Sequence, residues 1–123
     1  MSKKCLIVDD VEVSRYVLKG HMEGFGFAVS EAEGPDQALD ALRRLEFDVI
    51  LLDWHLGHES GLSLIDKIRQ TEKGNAHVPV IVCSGVEHGD LSERVKESGA
   101  ACFLEKPVSK ERLLEELHRL RLV

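Results

Sequence analysis

The chain has 123 residues, a length that fits one domain with a sizeable hydrophobic core. Apolar residues make up 43% and charged residues 31%, which argues against disorder, and the net charge of −6 gives no electrostatic case for binding nucleic acid or an anionic membrane. No apolar run approaches the roughly 20 residues of a membrane span, and no signal peptide follows the start. We therefore expect a cytoplasmic protein with no direct nucleic-acid or membrane partner.

The cysteines support this location. Cys5, Cys83 and Cys102 are odd in number, far apart, and each lies inside an apolar run. This pattern predicts buried thiols in a reducing compartment rather than a disulfide set or a zinc site.

The first third of the chain alternates between short apolar runs and helical patterns. Residues 4–9 predict a buried strand that ends on a carboxylate. A helix is predicted over residues 11–24, with its inner face formed by Val13, Tyr16, Val17, Met22 and Phe25. A second strand is predicted over 27–32, and the helix that starts at 34–36 is expected to direct five residues inward: Ala38, Leu39, Ala41, Leu42 and Leu45.

The middle of the chain contains the strongest strand signal. Residues 47–53 place four consecutive aliphatic residues before Asp53, which is typical of a strand buried on both faces. After a turn at 57–61, Ser60 is a suitable N-cap for the next helix. Its apolar face is expected to contain Leu62, Leu64, Ile65 and Ile68.

The last third repeats the alternation. Strands are predicted over 78–83 and 100–105, separated by a helix over 87–98 that is thin in apolar residues, with only Leu91 and Val95 on one face. Ser109 is expected to cap the last helix. That helix carries an apolar stripe of Leu113, Leu114, Leu117 and Leu120.

Five βα repeats predict an α/β fold with a doubly wound, five-stranded parallel sheet. We expect a flavodoxin-like (βα)5 arrangement with strand order 2-1-3-4-5, in which the first and third strands are neighbours. The expected organisation is one domain over residues 1–123 with no output domain.

Candidate functional residues follow four of the five strands. They are Asp9, Asp10, Asp53, Ser84 and Lys106. Three clustered carboxylates repel one another, and Mg²⁺ is the cation that such oxygen ligands suit best. A carboxylate can also attack phosphorus, while Mg²⁺, an ammonium group and a hydroxyl stabilise the charge of a transferring phosphoryl group. The residue types therefore favour phosphoryl acceptance.

Each of these residues alone has an ordinary structural interpretation. Asp10 is a suitable helix N-cap, Asp53 a strand terminator, Lys106 a solvated lysine and Ser84 part of a turn. Their expected meeting at one edge of the sheet makes the functional interpretation the stronger one.

The same residues resemble a receiver (response-regulator) domain of bacterial two-component signalling, of the stand-alone chemotaxis type, over essentially the whole chain. The matching segments are Leu6-Ile-Val-Asp-Asp10, Ile50-Leu-Leu-Asp53 with Gly61 downstream, Val80-Ile-Val-Cys-Ser84-Gly85 and Ala101-Cys-Phe-Leu-Glu-Lys106-Pro107.

The resemblance implies a role for each matched residue. Asp53 resembles the phosphorylated aspartate, and Asp10 with Asp53 the direct Mg²⁺ ligands, with Asp9 acting through water and the His55 backbone carbonyl completing the set. Ser84 resembles the switch hydroxyl and Phe103 the switch aromatic. Lys106 resembles the lysine of the site, whose bond to the following proline is cis in the family.

The function implied is a phosphorylation-dependent switch. A histidine kinase or phosphotransfer protein would donate a phosphoryl group to Asp53 with Mg²⁺ present. The face formed by the fourth helix, fifth strand and fifth helix would then change its affinity for a downstream protein target. Phosphorylation and autodephosphorylation would be self-catalysed, so the chain is not expected to be an enzyme.

Three positions depart from the commoner family pattern. Gly57 replaces a frequent proline, which predicts a more mobile loop. His55 and Val86 occupy positions that in the family tune loss of the phosphoryl group. Val86 cannot position a water molecule by hydrogen bonding, which predicts slow autodephosphorylation.

Three other functions remain as alternatives. A phosphatase or phosphotransferase with an aspartyl-phosphate intermediate usually has a second aspartate where His55 stands. A flavodoxin-like cofactor binder needs a glycine-rich phosphate loop after the first strand, where Asp9 and Asp10 would repel phosphate. A degenerate receiver acting as an adaptor would not need the complete site.

The last helix carries a modest basic cluster of Lys110, Arg112, Arg119 and Arg121. One interpretation is a solvated face with glutamates as i,i+4 partners. The other is a docking surface for an acidic or phosphate-bearing partner.

Overall fold

A computed structural model describes residues 2–56, 59–71, 74–85 and 91–123. Five parallel strands form one sheet in the order β2-β1-β3-β4-β5, as predicted. The strands are β1 Lys4–Val8, β2 Ala28–Ala32, β3 Val49–Leu52, β4 Val80–Ser84 and β5 Cys102–Glu105. The flavodoxin-like α/β fold is thereby confirmed.

Helices alternate with the strands. They are α1 Glu12–Gly24, α2 Pro35–Arg44, α3 Gly61–Arg69, α4 Leu91–Glu97 and α5 Lys110–Arg119, with a 3₁₀ helix at Gly74–His77. The predicted caps are confirmed: the hydroxyl oxygens of Ser60 and Ser109 accept backbone N–H bonds at the starts of α3 and α5. Within the described residues, no helix has the length and apolarity needed to cross a membrane.

The sheet separates two apolar layers. Side chains of β3 are fully buried and alternate between the layers, as expected for a central parallel strand. On one face the sheet packs against α1 and α5 through Leu18, Met22, Leu113 and Leu117. On the other face it packs against α2, α3 and α4 through Ala38, Leu42, Leu64, Ile65, Ile68 and Val95.

The predicted inner face of α1 is largely wrong. Val13, Tyr16 and Val17 are 72%, 77% and 44% exposed, and the inner face is formed by Arg15, Leu18 and Met22. Two stripes at helical spacing run along this helix, and the inner one is interrupted by an arginine. The pattern therefore pointed to the stripe that is richer in apolar residues, which faces solvent.

Two other leucines lie further out than predicted. Leu45 is 41% exposed because it follows the last turn of α2, and Leu62 is 40% exposed in the first turn of α3. The first part of the helix predicted over 87–98 lies outside the described residues, and α4 is described from Leu91.

All three cysteines are free thiols. Cys5 and Cys83 are buried, whereas Cys102 is half-buried. Burial raises the pKa of each thiol, in the case of Cys102 to about 12, so the thiols are protonated at neutral pH.

Candidate functional site

The carboxyl ends of β1 and β3 place two aspartates side by side. Val8 pairs with Leu52 in the last register of the two strands, so Asp9 and Asp53 both follow at the same edge. The Asp53 N–H donates to the Val8 carbonyl over 2.9 Å, and the Asp9 N–H to the Ala32 carbonyl over 3.1 Å. The backbone ladder thus continues into the site and determines where both side chains begin.

Asp9 is 1% exposed and its carboxylate accepts three hydrogen bonds. The Val11 N–H donates to Oδ1 over 2.9 Å, while the Ser14 hydroxyl and the Lys106 ammonium each donate to Oδ2 over 2.6 Å. These bonds leave the oxygens of Asp9 less available for direct contact with a metal ion than those of the other two aspartates.

Asp10 is exposed at the mouth of the same edge. Asp9, Asp10 and Asp53 each offer one carboxylate oxygen, and these three oxygens lie within 4.8 Å of one another. Three carboxylates at this distance suit a hard divalent cation such as Mg²⁺, which prefers oxygen ligands. The residues present therefore fit the predicted ion.

Lys106 balances part of this negative charge. Its ammonium lies 2.6 Å from Asp9 Oδ2 and 3.4 Å from Asp53 Oδ2. The backbone N–H of Lys106 donates to the Ser84 carbonyl over 2.9 Å. The peptide bond between Lys106 and Pro107 is cis, as the resemblance implied. Burial alone would lower the pKa of Lys106, but the hydrogen bond that its ammonium donates to Asp9 and the charge of Asp53 outweigh burial, so the pKa is raised.

The Asp53 carboxyl has a raised pKa although Lys106 lies beside it. Burial is the largest cause, and the neighbouring charge of Asp9 adds to it. The Lys106 charge and the His55 N–H, which donates to Asp53 Oδ1 over 3.2 Å, act in the opposite direction without overcoming burial. A second cation at this edge would favour the ionised carboxylate that a nucleophile requires.

The two predicted switch residues lie on β4 and β5. Ser84 is fully buried and ends β4 next to Lys106. Phe103 pairs with Val82 in the sheet and is half-buried against the core layer of α2, α3 and α4. The structure therefore brings Ser84 to the edge of the sheet that carries the carboxylates. The switch roles of Ser84 and Phe103 stay predictions.

His55 lies two residues after Asp53, and its side chain is exposed. It forms a two-residue antiparallel pair with Ser60, outside the main sheet. The predicted role of its carbonyl as a metal ligand stays a prediction. Gly57 and Val86, on which the predictions of a mobile loop and of slow autodephosphorylation rest, lie outside the described residues.

Glycine is required at position 61 because the chain passes close to Trp54 and Asp53 there. A Cβ atom at this position would lie 3.1 Å from the Cα and a ring carbon of Trp54 and 3.3 Å from the Asp53 carbonyl oxygen. The first turn of α3 therefore lies directly against the backbone that follows Asp53. The Gly61 N–H donates to the Trp54 carbonyl over 2.6 Å.

Sequence reasoning missed two polar residues of α1 that support the site. Ser14 donates to the Asp9 carboxylate, and the buried Arg15 donates to the Asp9 carbonyl over 2.7 Å. The available signal was Arg15 itself, a charged residue on the stripe that continues through Leu18 and Met22.

The basic cluster of α5 is largely neutralised within the chain. Glu116, 7% exposed, accepts hydrogen bonds from Arg112 over 3.0 Å and Arg119 over 2.8 Å. Lys110 lies 5.8 Å from the centre of the Phe25 ring. These contacts favour the interpretation of a helix face paired with its own glutamates over that of a docking surface for an acidic or phosphate-bearing partner.

Solved structures and curated proteins resemble this chain over nearly its whole length. A CheY-like receiver domain protein from Methanospirillum hungatei is 25% identical with a TM-score of 0.86, covering 98% of this chain and 94% of that one. The chemotaxis protein CheY4 of Vibrio cholerae is 25% identical with a TM-score of 0.87, covering 97% and 98%.

Two curated relatives differ in length. The polar-differentiation response regulator DivK of Brucella ovis is 28% identical over 117 residues, covering 95% of this chain and 94% of DivK. The sensory/regulatory protein RpfC of Xanthomonas campestris pv. campestris is 32% identical over 117 residues, covering 94% of this chain but only 16% of RpfC. The family model of the response regulator receiver domain matches residues 5–118. The chain therefore belongs to the response regulator receiver domain family of two-component signalling.

Proposed function

We propose that this chain is a phosphorylation-dependent signalling switch that accepts a phosphoryl group on Asp53. The observation that carries the proposal is the meeting of Asp53, Lys106 and two further aspartates at one edge of a receiver-domain sheet. Its product is a changed conformation rather than a released compound, so we do not class it as an enzyme. The free, protonated thiols are consistent with work in the cytoplasm.

The proposed reaction is attack of an Asp53 carboxylate oxygen on the phosphorus of a phosphohistidine. The P–N bond breaks, the imidazole leaves with its electron pair and takes up a proton, and an aspartyl phosphate forms. Lys106, 3.4 Å from Asp53 Oδ2, would neutralise the charge of the phosphoryl oxygens, and the Ser84 hydroxyl would donate to one of them. Hydrolysis by water then returns inorganic phosphate and the carboxylate.

Receiver domains generally bind Mg²⁺ at an acidic pocket, and the aspartate cluster supplies such a pocket here. Asp10 and Asp53 would hold the ion directly, Asp9 through water, and the His55 carbonyl would complete the protein ligands. The ion would supply positive charge for the phosphoryl oxygens. The hydrogen bonds that already occupy Asp9 support its indirect role.

The donor is proposed to be a histidine kinase or phosphotransfer protein that docks on the outward stripe of α1, defined as Val11, Val13, Tyr16 and Val17. These residues are 44% to 77% exposed. The stripe borders a groove of about 390 Å³ that reaches Lys106 and Pro107, so a docked protein would lie beside Lys106, whose ammonium is 3.4 Å from Asp53 Oδ2. An amphipathic helix carrying a phosphohistidine has the apolar face that this stripe would bury.

The output is proposed to pass through α4, β5 and α5 to a protein target. Phe103 lies on β5 between this surface and the site, two residues after Ala101 and three before Lys106. Arg119 joins α5 to the start of β5 by donating to the Ala101 carbonyl over 3.1 Å. A shift of Ser84 and Phe103 would therefore reach the same surface.

The test is incubation of the purified chain with a small phosphodonor and Mg²⁺, followed by intact-mass measurement. We expect one added phosphoryl group, lost when Asp53 is changed to Asn and when the metal is removed by a chelator. Asp40→Asn is the matched control, because Asp40 is an exposed carboxylate paired with Arg44 on α2.

Two results would contradict the proposal. A folded wild-type chain that stays unmodified would favour the adaptor alternative. An adduct that survives Asp53→Asn would move the acceptor to another residue.

A further inference from the structure

Arg15 is a charged residue held in the inner face of α1, where it is 9% exposed. We propose that Arg15 is a positioning residue for the Mg²⁺ site, acting by holding the peptide group between Asp9 and Asp10. The inference rests on the proposed function because it concerns the metal of that same site.

One hydrogen bond and two ion pairs hold the guanidinium in place. Nη1 donates to the Asp9 carbonyl over 2.7 Å, Nε lies 3.4 Å from Glu31 Oε1, and Nη2 lies 3.7 Å from Glu33 Oε1. Glu31 belongs to β2 and Glu33 follows its end. The planar fork of arginine is therefore oriented from the edge of the sheet, and one of its arms points at the site.

The contacted carbonyl belongs to the peptide that joins two of the three clustered aspartates. The Asp9 side chain has its own bonds to Val11, Ser14 and Lys106. Asp10 is exposed, so the peptide plane before it is a principal determinant of where its carboxylate points. Holding that plane keeps the Asp10 oxygen within 4.8 Å of the other two carboxylates.

Groups that form hydrogen bonds to the residues of a metal site have measurable effects on the affinity of the site for its metal. Loss of such a supporting hydrogen bond typically weakens metal binding by about 10- to 100-fold. Arginine at this position is thus expected to change Mg²⁺ affinity without touching the ion. A purely structural Arg15, which only ties α1 to β2, would change stability and leave Mg²⁺ affinity unaltered.

The experiment measures Mg²⁺ binding to the unphosphorylated full chain by calorimetry. The fluorescence of Trp54, the only tryptophan, which directly follows Asp53, gives an independent titration. Arg15→Met is compared with Lys19→Met. Lys19 is on the same helix, carries the same charge and pairs with the same Glu31 over 3.6 Å.

We expect Arg15→Met to raise the Kd for Mg²⁺ about 10-fold and Lys19→Met to change it less than about 2-fold. Unfolding by urea, measured in parallel without Mg²⁺, separates affinity from stability. An unchanged Kd in folded Arg15→Met overturns the proposal. An equal loss in both variants also overturns it, because the cause would then be the Glu31 ion pair that both residues make and not the bond to the Asp9 carbonyl.

Arg15→Lys keeps the proposal testable if Arg15→Met does not fold. A single ammonium cannot hold the Asp9 carbonyl and both glutamates as the planar fork does, so we expect a Kd raised at least about 3-fold. A folded Arg15→Lys chain with wild-type affinity overturns the proposal. A wild-type chain that binds no Mg²⁺ would count against the proposed function instead.

Discussion

Lys106 is the residue on which the charge balance of the site depends. Among the described residues, it is the one cationic side chain whose hydrogen bonds reach the carboxylates of both Asp9 and Asp53. In the resting state its closer partner is Asp9, at 2.6 Å, and not the proposed acceptor. The ammonium is therefore held beside Asp53 by a neighbouring carboxylate, and under the proposed function it would contact a phosphoryl oxygen there.

Replacement of Lys106 by Met should separate phosphoryl transfer from metal binding. We expect transfer from a small phosphodonor to slow by about 100-fold, because a charged donor to the phosphoryl oxygens is lost. Mg²⁺ affinity should be equal or higher, since the ammonium repels a cation at the same carboxylates. Phosphorylation rates by mass spectrometry and Mg²⁺ titration measure the two effects.

Lys110→Met is the matched control for this prediction. Lys110 lies in the first turn of α5 over the Phe25 ring, and its loss removes the same charge without a contact to the site. A Lys106→Met chain phosphorylated at the wild-type rate would remove Lys106 from the mechanism.

At the same scale, the sequence predicts the residues that follow strands better than the residues that support them. Asp9, Asp53 and Lys106 could be placed together because the carboxyl ends of parallel strands share one edge. Ser14 and Arg15 could not, because their partners are set by the rotation of α1 against the sheet. No spacing along the chain reveals that rotation when the outer stripe is the more apolar one.

At the scale of the element, α1 has two faces with different tasks. Its inner face packs Leu18 and Met22 into the core and directs Arg15 to the site. Its outer face exposes an apolar stripe that contributes little to folding, since Val13 and Tyr16 are 72% and 77% exposed. An apolar surface of this kind beside a candidate site is a reason to expect a protein partner.

The double variant Val13→Gln with Tyr16→Gln tests this expectation. Transfer from a phosphohistidine protein donor should fall about 10-fold or more, because two apolar anchors of the interface are lost. Phosphorylation by a small donor should be unchanged, and the free energy of unfolding should change by less than about 0.5 kcal/mol, because both side chains are exposed. Paired rate measurements with the two donors check the result.

Leu45→Gln is the control for surface apolarity. Leu45 is 41% exposed and follows α2, which packs on the opposite face of the sheet. A double α1 variant that receives the phosphoryl group from the protein donor as fast as Leu45→Gln would place the docking surface elsewhere.

At the scale of the whole molecule, the βα alternation predicts a parallel sheet and allows the observed strand order, and neither prediction needed any detail of side-chain contact. What the alternation does not contain is the set of buried polar clusters that join the layers. Asn75, in the 3₁₀ helix before β4, is an example: it is 1% exposed and bonds to the backbone of Phe47, Leu42 and Leu45. Such contacts depend on the assembled fold and have no local signature.

Glu116 is a second such cluster, and it makes the stability of the molecule depend on pH. Burial alone raises the pKa of Glu116, but hydrogen bonds from Arg119, Cys102 and Arg112 outweigh it, so the pKa lies below its ordinary value of 4.5. Because the pKa is lower in the folded state, ionised Glu116 stabilises the fold fully above that ordinary value. The contribution is lost as the pH falls through the lowered pKa.

Glu116→Gln should therefore reduce the free energy of unfolding by about 1 kcal/mol at pH 7, the net scale of a typical intramolecular hydrogen bond, because Gln keeps part of the hydrogen bonding and loses the charge. The difference from wild type should stay constant down to about pH 5 and shrink at lower pH, where the wild-type carboxylate becomes protonated. Glu115→Gln is the control, because Glu115 bonds the same Arg112 at 3.4 Å but its side chain is 70% exposed. Urea unfolding of the three chains between pH 7 and pH 3 measures the effect. A Glu116→Gln deficit that does not shrink in acid would assign its cost to altered packing between α5 and β5 rather than to the charge.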